Sequence, residues 1–427
     1  MAQYTQSPLD SPESSANRLV GSIAGHGAAG EEPAPDMRLP AVSPNQELCL
    51  YAARAGYDLQ DEMDRLSNRA MEPNAFFTGR FLAPAMPRLE ERQVRLAILR
   101  DTDRNRKRAR ILFPFSIEKP GFSLGAPIIR VWSNVFGPLG TPLVDAEHAA
   151  ESIDSLLEIL SRDNSGLPSV LVLPDIRLHG NFGQLMRAIA ISRNLPIAIT
   201  NPYVRPMLES YDDGPTYLKE SVSKNHLREM RRQRAHLASL GMLEYNVARQ
   251  PAEVRQRMEQ FLALEAGGWK GAKKSAMIFD RYRAAFAREA ITNMAESDAV
   301  RIHTLDLNGK AIASMVVFIV SGEAYTWKTA YDELYAKYSP GKLLMENLTE
   351  WHLDDANIIR TDSCAVPDHP IMSRFWRERH QMGTIVIGLR QNSDRDVRQV
   401  STQLHLYRNT RNMARILRQK ILSLAGR

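Results

Sequence analysis

The feature that most constrains the fold is an order of predicted elements that occurs twice along the chain. A strand meander followed by helix, strand, helix and strand is predicted over residues 94–199 and again over residues 300–389. Strands that alternate with helices are typical of an α/β layer. Asn308-Gly309 lies between the first two strands of the second series, and this dipeptide favours a tight hairpin. The halves share no repeat of individual residues, so the pattern alone predicts two related domains packed side by side.

Length and local composition divide the chain further, because 427 residues exceed what one ordinary core supports. We predict a disordered tail, an N-terminal domain, a C-terminal domain and a basic helical extension, at residues 1–45, 46–215, 216–392 and 393–427. The tail is rich in Ser, Pro, Gly, Ala and Glu and lacks the apolar residues that offset ordering entropy. The extension fits a surface or docking helix, and a lipid-surface contact is the alternative.

Composition narrows the class of protein. Hydrophobic residues make up 44% and charged residues 24%, which is ordinary for a globular protein. No apolar stretch approaches the roughly 20 residues of a membrane span, and no secretory signal is recognisable, so we expect a cytoplasmic protein. Cys49 and Cys364 are too few for a disulfide framework or a cysteine-rich metal site, and we expect no metal. The net charge of +6 permits binding to phosphates without identifying them.

A candidate phosphate site lies between a predicted strand and an apolar helix, at Ser339-Pro340-Gly341-Lys342-Leu343. Pro340 fixes φ, and Gly341 lets the backbone approach a ligand without an intervening Cβ. The unpaired N–H groups and the positive dipole end of the following helix favour a pyrophosphate. Many helices begin after Pro-Gly for purely structural reasons, so the motif alone leaves both interpretations open.

An ordered set of residues accompanies the second series between about residues 200 and 390. It comprises Ser223 to Arg228, Arg231, Arg232, Leu240, Gly241, Trp269, Ile312, Ala313, Tyr325 to Asp332, Tyr338 to Gly341, Asp362 and Trp376. With the layout of the elements, this set resembles GCN5-related N-acetyltransferases (GNAT), specifically those of the CelD or BioF2-like type. Glu72 to Phe77 resembles the opening segment of such proteins, so the resemblance covers most of the chain outside the tail.

The resemblance implies an α/β (α+β) fold of tandem GNAT-like domains, each a mixed, centrally antiparallel sheet flanked by helices, akin to the aminoacyl-transferring FemAB proteins. It implies acyl-CoA, with acetyl-CoA as the first choice, as a co-substrate beside the Pro-Gly turn. The amides of Gly341, Lys342 and Leu343 would hold its pyrophosphate. The sequence departs from the usual Arg/Gln-x-x-Gly-x-Gly/Ala loop, because Lys342 and Leu343 replace the final pair.

The implied reaction is direct attack of an acceptor amine or hydroxyl on the thioester, which requires a proton acceptor and oxyanion donors. Asp362 matches the aspartate of the family pattern, and His369 has an ordinary pKa suited to proton transfer near neutral pH. The alternatives are that Asp362 stabilises a turn and that His369 is merely exposed. Cys364 is a weaker candidate nucleophile, because a free cysteine is usually just buried.

Trp269 and Tyr331 are candidate substrate-binding residues, although a core or cap role is as good an interpretation for Trp269. A dense basic run, formed by Lys224, Arg228, Arg231, Arg232 and Arg234, is predicted on an amphipathic helix. A solvated helix face is the first interpretation of this run, and contact with CoA phosphates or an anionic acceptor is the second. A nucleic-acid module is disfavoured, because the run lacks interleaved aromatic residues for base stacking.

The sequence is therefore compatible with three functions. The first is an acyl-CoA-dependent N- or O-acyltransferase, with a possible place in polysaccharide or cell-envelope biosynthesis implied by the resemblance. The second is a FemAB-like aminoacyltransferase that uses charged tRNA. The third is a non-enzymatic accessory protein of polysaccharide synthesis. The acceptor stays open, because sugar amines, peptidoglycan precursors, polyamines and protein lysines all suit the reaction.

Overall fold

The computed structural model describes residues 33–42, 45–89, 94–102, 108–123, 125–367, 369 and 371–425. Side chains of the last helix are described up to residue 410 and at Met413. Most of the tail that we predicted to be disordered lies outside the described residues. Residues 37–40 of that segment form a strand, because Met37 and Leu39 pack against the core while their backbone pairs with the next strand.

The described strands form a single sheet, in which the two edge strands are the first and the ninth along the chain. Their bounds are β1 Met37–Pro40, β2 Gln46–Ala52, β3 Arg95–Asp101, β4 Ala109–Glu118, β5 Ile128–Val131, β6 Leu143–Val144, β7 Val170–Arg177, β8 Ile197–Leu208, β9 Leu243–Ala248, β10 Val300–Leu307, β11 Lys310–Val320, β12 Glu323–Tyr331, β13 Arg360–Asp362 and β14 Glu378–Gly388.

Helices flank both faces of this sheet. Their bounds are α1 Gln60–Ser67, α2 Gly79–Leu89, α3 Ala149–Leu160, α4 Asn181–Ser192, α5 Gly214–Ser221, α6 Lys224–Ala238, α7 Pro251–Gly267, α8 Trp269–Ala272, α9 Arg281–Glu296, α10 Pro340–Asp354, α11 Met372–Phe375 and α12 Asp394–Ala425. The mixed α/β class with a large mixed sheet is therefore confirmed, and so are the two series of strands and helices.

The sheet joins the two halves by a reciprocal exchange of strands. Its order is β1-β2-β3-β4-β5-β7-β14-β8-β13-β12-β11-β10-β9, with β6 paired to β4. The last strand of the second half, β14, lies between β7 and β8 of the first half and pairs antiparallel with both. In return, β8 pairs with β13 of the second half. The pairs β5–β7 and β12–β13 are parallel, and the other pairs are antiparallel.

One hydrophobic core also spans both halves. Phe76 and Phe81 from the first half make edge contacts with Phe318 of the second, at centroid distances of 6.2 and 5.6 Å. Phe81 also contacts Phe286 on α9 at 5.3 Å. A second core fills the other face of the C-terminal half, beneath α6 and α10. Each half therefore depends on the other for burial of its apolar surface as well as for strand pairing.

Candidate active site

The parallel strands β12 and β13 separate after a short pairing. Only Glu323, Ala324 and Tyr325 are in register with β13, whose last residue is Asp362. The strand β12 continues to Tyr331, so its edge beyond Tyr325 has no strand partner on this side within the described residues. Backbone groups along such an edge can bond to an extended ligand.

The candidate phosphate site lies at the end of this gap, where α10 begins. Ser339 adopts a left-handed conformation with φ of 52°, and its carbonyl accepts from the amides of Lys342 and Leu343 at 2.9 and 3.3 Å. Among the described residues, a Cβ added to Gly341 would contact only Tyr331, at 3.8 Å from its Cδ1. Leu343 is buried, whereas the side of the turn that carries Gly341 is open. The amide of Gly341 is therefore better placed for an anion than those of Lys342 and Leu343.

Positive charge gathers around the first turn of α10. Burial first, and then the positive charges of Lys342 and Arg374, lower the pKa of His226 near the start of α6. Three helices, α6, α10 and α11, thus bring basic side chains close to one another. This arrangement is favourable for a negatively charged group near the helix N-terminus.

The structure places both candidate substrate-binding residues at the rim of this site. The amide of Trp269 donates to Oε1 of Glu333 at 2.6 Å, and Glu333 begins the 3₁₀ turn that leads to Ser339. The indole of Trp269 is half exposed, and Nζ of Lys273 lies 4.8 Å from its centroid. Tyr331, the last residue of β12, is the residue nearest to Gly341 across the gap. Their part in binding stays a prediction.

Asp362 lies in a different setting from the one that a catalytic base requires. Its side chain is fully buried, and it accepts from Nη2 of Arg177 at 2.8 Å and from Nη1 of Arg205 at 3.4 Å. Its Oδ1 also accepts from the amide of Cys364 at 2.7 Å. Although burial opposes ionisation, these two arginines lower the pKa of Asp362 to about 2. The carboxylate is therefore ionised and shielded, which favours the structural alternative.

The ion pairs around Asp362 continue across the sheet. Arg177 on β7 also pairs with Glu323, which in turn accepts from Nε of Arg360 at 2.7 Å. Glu72, close to the opening of α2, lies 3.7 Å from Nη1 of Arg177. The network thus ties β7, β12 and β13 together at the point where the last two separate.

His369, the second candidate base, is half-buried in the segment after β13. Its Nδ1 accepts from the amide of Met372 at 3.3 Å, and its carbonyl accepts from the amide of Ser373 at 3.0 Å. Burial lowers the pKa of His369, so its imidazole is neutral near pH 7. Within the described residues, no hydrogen bond or ion pair joins it to Ser339–Leu343.

Cys364 follows β13 in a left-handed conformation, with φ of 48°. Burial, and then the negative charge of Asp362, raise the pKa of its thiol well above the usual range. A nucleophilic cysteine requires the opposite shift, because the thiolate is the reactive form. The thiol is therefore a poor nucleophile, as expected for a free cysteine that is buried.

A β-bulge on β12 presents a residue that sequence reasoning missed. Val316 is in register with Lys328 and Val317 with Thr326, so Trp327 has no partner of its own on β11. A bulge of this kind changes the side to which neighbouring side chains point. Nε1 of Trp327 and Nζ of Lys328 both donate to carbonyls of the loop after β5, at 2.7 and 2.8 Å. The alternation of a regular strand would place these two side chains on opposite faces, which is why the pattern did not indicate Lys328.

The corresponding place in the N-terminal half is filled by its own chain. The loop that follows β5 packs against β7, where a Cβ on Gly140 would clash with the carbonyl oxygen of Pro174. Ser133 in the same loop donates to Oδ2 of Asp175 at 2.7 Å. The helix α3, which corresponds to α10, carries Glu151 in its first turn, and a carboxylate there disfavours a phosphate.

The basic run on α6 is largely a solvated face, although one member has a specific role. Arg232 pairs with Glu229 on the same exposed surface, at 2.8 Å. Arg234 donates to Oε2 of Glu346 at 2.7 Å and to Oδ1 of Asn347 at 2.9 Å, and so ties α6 to α10. No helix in the described part of the chain is long and apolar enough to cross a membrane.

Comparison with known proteins agrees with this geometry. Residues 224–361 match the family model Acetyltransf_6, an acetyltransferase (GNAT) domain. The match runs from the start of α6 through the open turn of α10 to β13, so this part of the chain is similar to a GNAT domain. The finer assignment to the CelD or BioF2-like type stays a prediction. A comparison with curated protein sequences gives no significant match.

Solved structures extend the likeness over both halves. The crystal structure of FemX aligns at 8% identity with a TM-score of 0.52, over 80% of this chain and 98% of FemX. A tandem GNAT protein from the clavulanic acid biosynthesis pathway aligns at 13% identity with a TM-score of 0.40, over 80% of this chain and 99% of that one. At such low identity, the likeness to FemX concerns the fold alone.

Proposed function

We propose that the chain is an acyl-CoA-dependent acyltransferase, with acetyl-CoA as the first donor to test and an amine or hydroxyl as the acceptor. The observation that carries the proposal is the gap between β12 and β13, which opens directly beside the first turn of α10. An extended pantetheine chain fits an unpaired strand edge, and a pyrophosphate fits a helix N-terminus with an open glycine. The GNAT domain match over residues 224–361 supports the same assignment.

In the proposed reaction, the acceptor nitrogen or oxygen attacks the thioester carbonyl and forms a tetrahedral intermediate. Collapse of this intermediate breaks the C–S bond and releases CoA as the thiol, while the proton of the nucleophile passes to a base or to water. Backbone N–H groups near the bulge at Trp327 are suited to stabilise the oxyanion. The gap holds the two reactants together, which removes much of the entropic part of the barrier.

Of the two predicted bases, we assign the proton-accepting role to His369 and a structural role to Asp362. A neutral imidazole accepts a proton near pH 7, whereas a shielded carboxylate with a pKa of about 2 does not. Because the pKa of His369 is lowered, we expect activity to rise with pH through a limb below the usual value of about 6.5. A His369→Ala enzyme with an unchanged rate and pH profile would remove His369 from the mechanism.

The donor is tested by calorimetric titration of the full chain with acetyl-CoA and, separately, with aminoacyl-tRNA. We expect saturable binding of acetyl-CoA that CoA displaces. Binding of aminoacyl-tRNA alone would instead support the FemAB-like aminoacyltransferase, which the likeness in fold to FemX keeps as the second candidate. Failure of both donors to bind would favour the non-enzymatic accessory protein.

A further inference from the structure

Lys328 carries a positive charge that its surroundings do not neutralise. Its Nζ donates to the carbonyl of Val135 at 2.8 Å and lies 4.5 Å from the ring centroid of Phe136. A carbonyl dipole and an aromatic face stabilise an ammonium group, but neither supplies a countercharge. The side chain is half-buried beside the gap, where desolvation makes an unpaired charge costly.

The acidic groups nearby already have partners. Both oxygens of Glu265 are engaged, Oε1 by Nζ of Lys270 at 2.7 Å and Oε2 by the amide of Met277 at 2.8 Å. Cys364 supplies no negative charge, because its thiol stays protonated. Within the described residues, no carboxylate forms an ion pair with Lys328. Burial, and then the positive charge of Lys270, lower the pKa of Lys328 to about 8.

A second cation lies on the same aromatic ring. Cζ of Arg283, on α9, is 5.7 Å from the centroid of Phe136. Its ion pair with Asp280 is long, at 3.5 Å, and the other oxygen of Asp280 accepts from the amides of Tyr282 and Arg283. The guanidinium of Arg283 is about half exposed, so its remaining N–H groups can reach a ligand.

This pair of cations is separate from the candidate pyrophosphate site. Lys328 lies three residues before Tyr331 on β12, a distance of about 10 Å along an extended strand. The loop with Val135 belongs to the N-terminal half, whereas α10 belongs to the C-terminal half. An anion bound here is therefore not the donor's pyrophosphate.

We propose that Lys328 and Arg283 bind an anionic group of the acceptor, a carboxylate or a phosphate, and so orient its nucleophile toward the thioester. This inference rests on the proposed acyltransferase function and narrows it to acidic acceptors. A sugar phosphate or an acidic peptide satisfies the requirement, whereas a polyamine does not. Bidentate recognition by Arg283 and a point charge at Lys328 suit either anion.

The test needs neither donor nor acceptor. The full chain, labelled with ¹³C at lysine Cε, is titrated with inorganic phosphate and with acetate while the Lys328 signal is followed by NMR. That signal is identified by its loss in Lys328→Met. We expect a saturable shift and a raised pKa of Lys328, because a bound anion favours the ammonium form. The anion that binds with the higher affinity indicates whether the acceptor group is a phosphate or a carboxylate.

Variants separate this site from general surface binding. Lys328→Met is expected to weaken the binding of the preferred anion about 10-fold or more, as for loss of one charge-assisted hydrogen bond. Lys328→Arg, which keeps the charge, should retain most of the affinity. Lys310→Met is the matched control, because Lys310 is exposed on the β10–β11 hairpin and should leave binding unchanged.

No saturable shift with either anion, or equal binding by Lys328→Met, would overturn the proposal. The outcome is independent of the donor, since acetyl-CoA is absent from the titration. Anion binding at Lys328 without acetyl-CoA binding would therefore retain the anion site and reject the proposed donor. Acetyl-CoA binding without anion binding would retain the proposed donor and reject the anion site.

Discussion

At the scale of single residues, Asp362 shows how a family pattern and a role can differ. Its position matches the family aspartate, yet its carboxylate is enclosed by Arg177 and Arg205. We expect Asp362→Asn to lower the free energy of unfolding by about 3–5 kcal/mol, because it leaves two buried guanidinium groups without part of their countercharge. Urea unfolding measures this loss.

The matched control for this prediction is an exposed ion pair. Glu259→Gln breaks the pair with Arg288, in which both side chains are about half exposed, and should cost less than about 1 kcal/mol. An Asp362→Asn protein that has normal stability and binds acetyl-CoA but transfers no acyl group would instead support a catalytic role for Asp362.

A pair of buried histidines predicts a loss of stability in acid. His303 and His352 lie 5.4 Å apart, and the Nε2 atom of each has no hydrogen-bond partner in the described part of the chain. Burial lowers the pKa of His352 to about 3 and that of His303 well below its usual value. The unfolded chain, with a pKa near 6.5, therefore binds more protons as pH falls from about 6.5 toward 3.

The sign of the effect follows from this difference in proton binding. Stability should decrease on acidification below about pH 6.5, by up to about 1.4 kcal/mol per pH unit for each histidine. The measurement is the urea midpoint at pH 7 and pH 5. His352→Gln should reduce the difference between the two midpoints, whereas His236→Gln, at an exposed position, should not. An equal difference in His352→Gln and the unaltered chain would contradict the prediction.

At the scale of elements, a substitution in the first turn of α10 is expected to affect stability and acetyl-CoA affinity in opposite directions. Because Tyr331 is the one described residue that a Cβ at Gly341 would contact, Gly341→Ala should keep or raise stability, by up to about 1 kcal/mol from helix propensity. The same methyl group occupies the open side of the turn. We therefore expect acetyl-CoA binding to weaken about 10-fold, which calorimetry measures.

Gly267→Ala controls for the change in helix propensity. Gly267 is the last residue of α7, and no neighbour in the described part of the chain lies within 4 Å of a Cβ placed there. It should affect stability in a similar way and leave acetyl-CoA affinity unchanged. If Gly341→Ala binds acetyl-CoA normally, the pyrophosphate does not lie against this turn.

Sequence patterns predicted these elements better than they predicted the site. The strand meander and the helix after Pro340 follow from local periodicity and turn chemistry, which are properties of adjacent residues. The edge strand β9, at Leu243–Ala248, was missed although its residues alternate between apolar and polar. The bulge that places Lys328 beside Trp327 depends on pairing with β11, and no local pattern reports the register of a distant strand.

At the scale of the whole molecule, the two predicted domains share one sheet and one hydrophobic core. Their order of elements was visible in the sequence, but the exchange of β8 and β14 was not, because periodicity does not specify strand partners. The boundary at residues 215 and 216 stays a prediction for the chain's organisation. Because β8 and β14 are exchanged and the core around Phe76 and Phe81 is shared, dividing the chain at this boundary should have a measurable effect on folding.

We expect neither half to fold alone. A fragment of residues 34–215 lacks β14, so β8 has no neighbour to pair with, and a fragment of residues 216–427 lacks β8. Mixing the two fragments should restore near-ultraviolet circular dichroism and a cooperative urea transition, which each fragment lacks. A cooperative transition in either isolated fragment would show that the exchanged strands are dispensable.

The loop after β5 has a consequence for how such a protein can diversify. Part of it packs against β7 at Gly140, and the carbonyls of another part accept hydrogen bonds from Trp327 and Lys328 of β12. One stretch of chain therefore contacts β7 in the N-terminal half and β12 in the C-terminal half. An insertion there would disturb both sets of contacts at the same time. Substitutions around Trp269 avoid this double effect, so a change of acceptor is expected to arise there more readily.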